Sequence, residues 1–103
     1  MYDQVVQSFQ VNPHDVHTVP LNIHKAPLWF HVFVKDGTLY VTSAKNHLPS
    51  SSISGHRSLP REQFKKMLDI YHRRKKGERV SQEATEATRN QVYWYGVFAD
   101  MGF

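Results

Sequence analysis

The feature that most constrains the fold is an Asp-Gly dipeptide at 36–37 between two β-rich runs, 28–35 and 38–44. A two-residue loop of this composition readily takes positive φ and closes an antiparallel hairpin. With this turn, the expected pairs are Lys35 with Thr38, Phe33 with Tyr40, and His31 with Thr42. One face is aliphatic and consists of Phe30, Val32, Val34, Leu39 and Val41. The other face consists of Trp29, His31, Phe33, Tyr40 and Thr42, and is either covered by a helix or left open as a platform.

Two further strands are predicted before this hairpin. Alternating apolar side chains over 5–11 are typical of a half-buried strand that ends at 12–13, an Asn-Pro pair. Apolar residues alternate again over 19–23, but Pro20 lacks a backbone donor, so this strand would lie at a sheet edge. After the hairpin, residues 46–58 contain five serines and predict a long polar loop, a kind of segment that is often functional.

The C-terminal half carries helical signals. A helix is predicted to open near Ser58 and Pro60, because proline is tolerated in a first helical turn. Its apolar stripe consists of Phe64, Met67, Leu68 and Tyr71. Gly77 is the expected C-terminal cap, and a second helical signal covers 80–87.

The segment after the second helix is ambiguous. Thr88 and Gln91 match a capping box, in which the two side chains satisfy free backbone donors at a helix start. The β-branched and aromatic residues of 91–98 favour a strand, whereas the capping box and the spacing of Trp94, Phe98 and Met101 favour a helix. We expect the helix.

These elements predict one α+β domain over residues 1–103. A small antiparallel β-sheet from the N-terminal half packs with two or three C-terminal helices. The chain, whether whole or a module of a larger protein, is long enough for one modest core. It has no cysteine, which excludes disulfides and thiolate metal sites and fits a cytoplasmic location. Neither a signal peptide nor an apolar run of membrane-spanning length is visible, so we expect no membrane partner.

Positive charge is concentrated over 61–79, which carries eight basic residues against three acidic ones, while the whole chain has a net charge of +4. Such density predicts a polyanionic partner, and we expect this partner to be nucleic acid. The expected backbone contacts are Arg57, Lys65, Lys66, Arg73, Arg74, Lys75, Lys76 and Arg79. The alternative is a solvated helix end, where cations serve solubility and complement the helix dipole.

Two helices joined near 88–91 have the outline of a helix-turn-helix, which places duplex DNA ahead of RNA as the expected partner. In this interpretation Arg89 pairs with guanine, and Asn90 or Gln91 pairs with adenine. Trp94 completes the predicted contact set. The alternative is that Thr88 and Gln91 only cap a helix while their neighbours face water.

The aromatic residues support a related hypothesis. Trp29, Phe33 and Tyr40 on one hairpin face would stack unpaired bases, as sheet platforms do in single-strand binders. The Tyr-Trp-Tyr run at 93–95 would do likewise or grip a flipped base. The alternative is burial in the core, because a small domain needs its large side chains there.

The seven histidines define no complete site. His14 and His17, with Asp15 and His24 nearby, match no known metal spacing, so we assign no metal and no cofactor. With no nucleotide loop, nucleophile elbow or acidic cluster, we assign no catalytic residue and expect binding rather than catalysis.

Two alternatives stay open. One is a small metal-independent, toxin-like ribonuclease that acts through His56 and Arg57. Its supporting residues would come from the set Ser52, Ser54, His47 and His31. The other is a protein-interaction module whose aromatic face docks a partner segment.

Overall fold

The structure, a computed structural model, describes residues 1–22 and 24–103. These residues form a four-stranded antiparallel sheet and four helices, which confirms the α+β class. The strands are β1 (His14–His17), β2 (Trp29–Lys35), β3 (Thr38–Ser43) and β4 (His56–Leu59). The helices are α1 (Tyr2–Val11), α2 (Arg61–Lys75), α3 (Ser81–Ala87) and α4 (Gln91–Met101). The sheet thus lies in the N-terminal half with three helices after it, and α1 precedes it.

The sheet is a meander in the order β1-β2-β3-β4. Its central hairpin has the predicted register, with Lys35 opposite Thr38 and Phe33 opposite Tyr40. The turn residues adopt the expected conformation, with φ of 51° at Asp36 and 74° at Gly37. The hairpin prediction is therefore confirmed, and so is the separation of an aliphatic inner face from an aromatic outer face.

The prediction of a strand over 5–11 is wrong, because these residues belong to α1. Tyr2, Val5, Val6 and Phe9 recur at helical spacing and are all buried. A strand would have buried Val11 on the same face as Val5, yet Val11 is exposed. The helical period therefore buries more of the apolar surface than the alternation does.

The edge strand predicted over 19–23 is also wrong for residues 19–22, which lie outside any strand, while Ile23 lies outside the described residues. The edge strand is β1, which pairs with β2 through His14 opposite Val32 and Val16 opposite Phe30. At the other edge, β4 begins at His56 and shortens the predicted polar loop.

The helix predictions hold with small shifts at their ends. α2 buries Phe64, Met67 and Tyr71 as expected, but its fourth buried residue is Ile70, since the predicted Leu68 is only half-buried. Gly77 follows the helix with φ of 93°. Its start is later than predicted, since Ser58 lies in β4. α4 is a helix, but the capping box does not form, because Asn90 is the N-cap and its backbone N–H donates to Thr88 Oγ1 at 3.0 Å.

The core lies between the inner face of the sheet and the helices. α1 and α4 contact the sheet directly, and α2 packs against α3 and α4. All residues from 93 to 98 of α4 are buried, so this helix is apolar around its circumference. Within 1–22 and 24–103, no helix is both long and apolar enough to cross a membrane.

Candidate functional site on the outer face of the sheet

The outer face of the sheet presents aromatic rings to solvent. Trp29, Phe33 and Tyr40 are half-buried, and His56 is exposed. The rings of Phe33 and Tyr40 stack across the hairpin with centroids 5.7 Å apart and an interplanar angle of 20°. His56 makes T-shaped contacts with both rings, with centroid distances of 5.9 Å to Phe33 and 5.0 Å to Tyr40. The three rings form a partly exposed aromatic platform, the arrangement on which planar ligands stack.

Asp15 joins the strands and the following segment at the end of this face that carries His31 and His47. Its carboxylate accepts hydrogen bonds from His31 Nδ1 at 2.8 Å and His47 Nδ1 at 2.9 Å. The backbone N–H groups of Asn46, at 2.7 Å, and Lys45, at 3.1 Å, also donate to it. Burial by itself would raise the pKa of Asp15, but these hydrogen bonds outweigh it and hold the pKa well below the usual range. The group is therefore an anion at neutral pH, and we refer to Asp15, His31 and His47 as the Asp15 cluster.

The two imidazoles of the Asp15 cluster differ in accessibility. The His31 side chain is 8% exposed, whereas that of His47 is 47% exposed. The His47 ring stacks on Trp29 with centroids 4.0 Å apart. Because Nδ1 of His47 donates to Asp15, its Nε2 is an acceptor in the neutral ring and a donor in the imidazolium. His47 thus offers solvent a nitrogen that can take or give a proton.

A groove of about 710 Å³ runs along β1 beside His47. It is lined in part by His14, His17, Trp29, His47 and Asp100, and we call it the β1 groove. The rings of His17 and Trp29 form a T-shaped pair with centroids 5.1 Å apart, and His17 Nδ1 donates to the carbonyl oxygen of Thr18 at 2.9 Å.

His14 lies in the same groove but is paired. Its Nδ1 and Nε2 face two acceptors, the Asn12 carbonyl at 2.8 Å and the Asp100 carboxylate at 2.9 Å. Partial burial would lower the pKa of His14, but these two hydrogen bonds raise it overall. His14 and His17 point to opposite faces of β1, since they are three residues apart in a strand. Their H-x-x-H spacing therefore does not bring two ligands together.

Several cations of the predicted basic surface are engaged by carboxylates. Arg73 donates to Asp69, Glu78 and Glu83, the last at 2.6 Å. Lys66 also pairs with Glu83, at 2.7 Å. The cations beside Glu83 lower its pKa to about 2, mainly through the hydrogen bond from Arg73. These contacts fasten α2 to α3 and reduce the positive charge that this surface offers to a phosphate.

Other predicted contact residues are held by neutral groups. Arg74 lies over the Tyr95 ring at 4.4 Å and donates to the Val19 carbonyl at 2.7 Å. Lys75 donates to the carbonyl of Phe103 at 3.0 Å. Arg57 and Asn90 do come together, with Nη1 and Oδ1 3.3 Å apart. The remaining predicted cations are exposed and comprise Lys65, Lys76, Arg79 and Arg89.

Trp94 is the clearest correction to the predicted contact set. It has 0% exposed surface, and its indole Nε1–H donates to Gln63 Oε1 at 3.0 Å inside the helical layer. The neighbouring Tyr93 and Tyr95 are also buried. Gln91 lies at the half-buried start of α4. Since α4 is the central core helix, its buried faces cannot enter a DNA groove.

His56 and Arg57 are consecutive residues of β4, so their side chains point to opposite faces of the sheet. His56 points to the outer face beside Tyr40, whereas Arg57 points towards Asn90 and the Tyr93 ring. The sequence does not predict the Asp15 cluster, because Asp15 belongs to one hypothetical site there and His31 and His47 belong to another. The signal that would have revealed it is the pairing of Asp15 with His31, which requires β1 to be recognised as a strand.

Negative charge is distributed unevenly. Of the nine acidic residues, seven lie in the helices or in the segment between α2 and α3. The other two are Asp15, whose carboxylate is enclosed by donors, and the turn residue Asp36. Across 1–22 and 24–103, no three histidine or acidic side chains are arranged to hold a metal ion.

Comparison of the chain with protein-family models, with curated proteins and with solved structures gives no match, so a functional assignment depends on the chemistry of the outer face and the β1 groove.

Proposed function

We propose that this protein is a nucleic-acid-binding domain that holds a single-stranded segment on the outer face of its sheet. The observation that carries the proposal is the partly exposed platform of Phe33, Tyr40 and His56, continued by Trp29 along β2. Aromatic side chains on an antiparallel sheet stack unpaired bases, and each such contact contributes about 1–3 kcal/mol to binding. This is the binding class expected from the sequence, with the contact surface moved from the basic helix to the sheet.

The charge distribution supports the same surface. Most exposed carboxylates lie on the helices or between α2 and α3, where they would repel a phosphate backbone, and the one that lines the β1 groove, Asp100, is paired with His14. Lys35 at the end of β2 and Lys45 after β3 are exposed cations beside the outer face. A strand lying on the platform would therefore meet positive charge at its margins.

A single strand is favoured over duplex DNA by the accessibility of the two candidate surfaces. Duplex recognition by a helix-turn-helix needs an exposed recognition helix, and α4 is buried from 93 to 98. Stacking on Phe33 or Tyr40 needs bases released from pairing, which a single strand supplies without a cost for unpairing.

A fluorescence-anisotropy titration with labelled single-stranded RNA, single-stranded DNA and duplex DNA tests the proposal. The Phe33→Ala and Tyr40→Ala variants should each bind a single strand about 10-fold more weakly than the unmodified protein, since each loses one stacking contact. Val11→Ala, a substitution of an exposed apolar residue at the end of α1, is the matched control and should leave affinity unchanged.

A second variant separates the sheet from the helical surface. Replacing Lys65, Lys76 and Arg79 with Ser removes exposed cations outside the outer face and should weaken binding only modestly. Loss of binding in this variant, combined with unchanged binding in Phe33→Ala and Tyr40→Ala, would assign the nucleic acid to the helical surface and overturn the proposal.

A further inference from the structure

We propose that the β1 groove is a metal-independent RNA-cleaving site in which His17 is the general base and His47 the general acid. This inference rests on the proposed function, because the substrate of the groove is a strand held on the outer face and extended along β2 to Trp29. Phe33 and Trp29 are four residues apart on that strand, a distance of about 13 Å. The groove therefore adjoins the platform, and its volume of about 710 Å³ is in the range of small-ligand sites.

The two histidines converge on one indole. The His47 ring stacks on Trp29 with centroids 4.0 Å apart, and the His17 ring makes a T-shaped contact with it at a centroid distance of 5.1 Å. Both side chains line the same groove. Acid–base cleavage of a phosphodiester needs two proton-exchanging groups on either side of one phosphate, and this geometry supplies two imidazoles within one cavity.

Both rings are oriented through Nδ1. His17 Nδ1 donates to the neutral Thr18 carbonyl, and His47 Nδ1 donates to the ionised Asp15 carboxylate. In the described part of the chain, no hydrogen bond engages Nε2 of either ring. A carboxylate behind a histidine fixes its tautomer and stabilises the imidazolium, whereas a carbonyl fixes the tautomer without adding a negative charge. We therefore assign the proton-donating role to His47 and the proton-accepting role to His17.

Asp15 also lines the groove and is hydrogen-bonded to His31 and His47, and the other two charged groups of the groove, His14 and Asp100, are paired with each other. His14 Nε2 and Asp100 Oδ2 are 2.9 Å apart, and His14 Nδ1 is bonded to the Asn12 carbonyl. This pairing leaves His17 and His47 as the groups in the groove that are free to exchange protons with a substrate.

The reaction is an internal transesterification. His17 Nε2 removes the proton of a ribose 2′-hydroxyl, and the 2′-oxygen forms a bond to the adjacent phosphorus. The bond from phosphorus to the 5′-oxygen breaks, and the imidazolium of His47 transfers its Nε2 proton to that leaving oxygen. The products are a strand that ends in a 2′,3′-cyclic phosphate and a strand with a 5′-hydroxyl. The two histidines then regain their starting protonation by exchange with water.

The test is cleavage of an end-labelled single-stranded RNA by the purified protein in EDTA. We expect fragments with 2′,3′-cyclic phosphate ends, and no cleavage of the same sequence made of DNA. His17→Asn and His47→Asn should each lower the cleavage rate by at least about 100-fold, since each removes the imidazole Nε2 that exchanges a proton with the substrate. Asparagine retains an amide donor at the position of Nδ1, so the bonds to Thr18 and Asp15, and with them the fold, are preserved.

His72→Asn is the matched control, because His72 is exposed on α2 and lies outside the groove; its cleavage rate should equal that of the unmodified protein. Binding is measured in parallel with the uncleavable DNA strand. If that strand binds while RNA stays intact, or while both groove variants cleave at the unmodified rate, the cleavage proposal is overturned and the binding proposal stands. If neither RNA nor DNA strands bind, both proposals fail.

Discussion

At the scale of single residues, Asp15 is the group that fixes the geometry of the outer face around His31 and His47. Its carboxylate joins β1, the adjacent β2 and the segment after β3, through His31, His47 and two backbone amides. These donors come from positions 16 to 32 residues away in the chain. A buried anion with this many donors fixes local geometry, because removing it leaves the buried His31 ring and the partly buried donors of Lys45, Asn46 and His47 without their acceptor.

The first prediction concerns Asp15→Asn. We expect its free energy of unfolding at pH 7 to fall by about 2–4 kcal/mol, since the amide accepts fewer hydrogen bonds and turns its own donors towards those of the protein. The folded-state pKa of Asp15 lies below its ordinary value of 3.8. The stabilisation is therefore fully present above that value and is lost as the pH falls below it. Urea unfolding at pH 7, 5 and 3 should show the difference between the two proteins narrowing at pH 3, where the Asp15 carboxyl is largely protonated in the unfolded chain but still ionised in the folded one.

The control for this experiment is Asp36→Asn. Asp36 is an exposed turn residue with positive φ, a conformation that asparagine also tolerates. The free energy of unfolding of this variant should therefore equal that of the unmodified protein at all three pH values. A difference between Asp15→Asn and the unmodified protein that stays constant from pH 7 to pH 3 would contradict a role for the ionised carboxylate.

Single-residue chemistry was the part of the site least accessible from the sequence. Asp15 was grouped with its neighbours His14 and His17, whereas its actual partners His31 and His47 were assigned to a different hypothetical site. The grouping followed proximity in the chain, but side chains on a strand alternate between faces and meet residues of the next strand instead. Without β1 in the prediction, no sequence argument could place Asp15 opposite His31.

At the scale of elements, local signals were sufficient where they were strong. The turn at 36–37 specified the register of β2 and β3, and the apolar stripe of α2 specified its buried face. α1 was mistaken for a strand because Val5, Phe9 and Val11 satisfy an alternating pattern as well as part of a helical one. The choice between the two was made by tertiary packing, which buries Tyr2 and Val6 as well.

The second prediction concerns the contact between α4 and the sheet. A Cβ atom at Gly96 would lie 2.7 Å from the backbone oxygen of His17 and 2.8 Å from the Phe30 ring. Gly96→Ala should therefore reduce the free energy of unfolding by about 1–3 kcal/mol through overpacking, even though alanine is the better helix former. Urea unfolding monitored by tryptophan fluorescence measures the change.

Ala99→Gly provides the comparison, since Ala99 is an exposed residue of α4 three positions further along. It should cost about 1 kcal/mol from helix propensity alone. Stabilisation by Gly96→Ala would show that α4 moves away from β1 and β2 without penalty, and the close approach would then have no structural importance.

At the scale of the whole molecule, the charged residues are distributed differently in space than along the sequence. The basic segment 61–79 is prominent in one dimension, but in three dimensions the acidic residues of α2 and α3 engage Arg73 and Lys66. The sequence establishes the number of cations, whereas only the packing of α3 against α2 establishes which of them are neutralised. Among residues 1–22 and 24–103, most carboxylates lie on the helices or between α2 and α3, so the strands that form the outer face carry few of them.

This distribution leads to a prediction about salt. Single-strand binding that depends on stacking, with Lys35 and Lys45 as the main cations beside the outer face, should release few counterions. We expect log Kd to change with log salt concentration with a slope of about 1.5, against about 4 or more for a duplex bound through the basic segment. Anisotropy titrations of single-stranded RNA between low and high salt measure the slope.

Matched variants assign that slope to one side of the molecule. Replacing Lys35 and Lys45 with Ser should bring the slope close to zero, because the cations that release counterions on the outer face are then gone. Replacing Lys65, Lys76 and Arg79 with Ser removes one more charge yet should leave the slope nearly unchanged, since these cations lie away from the strand. A strand bound to the helices would give the opposite pattern, because counterions are released only from the phosphates that a protein cation neutralises. The slope would then persist without Lys35 and Lys45 and would vanish without the helical cations.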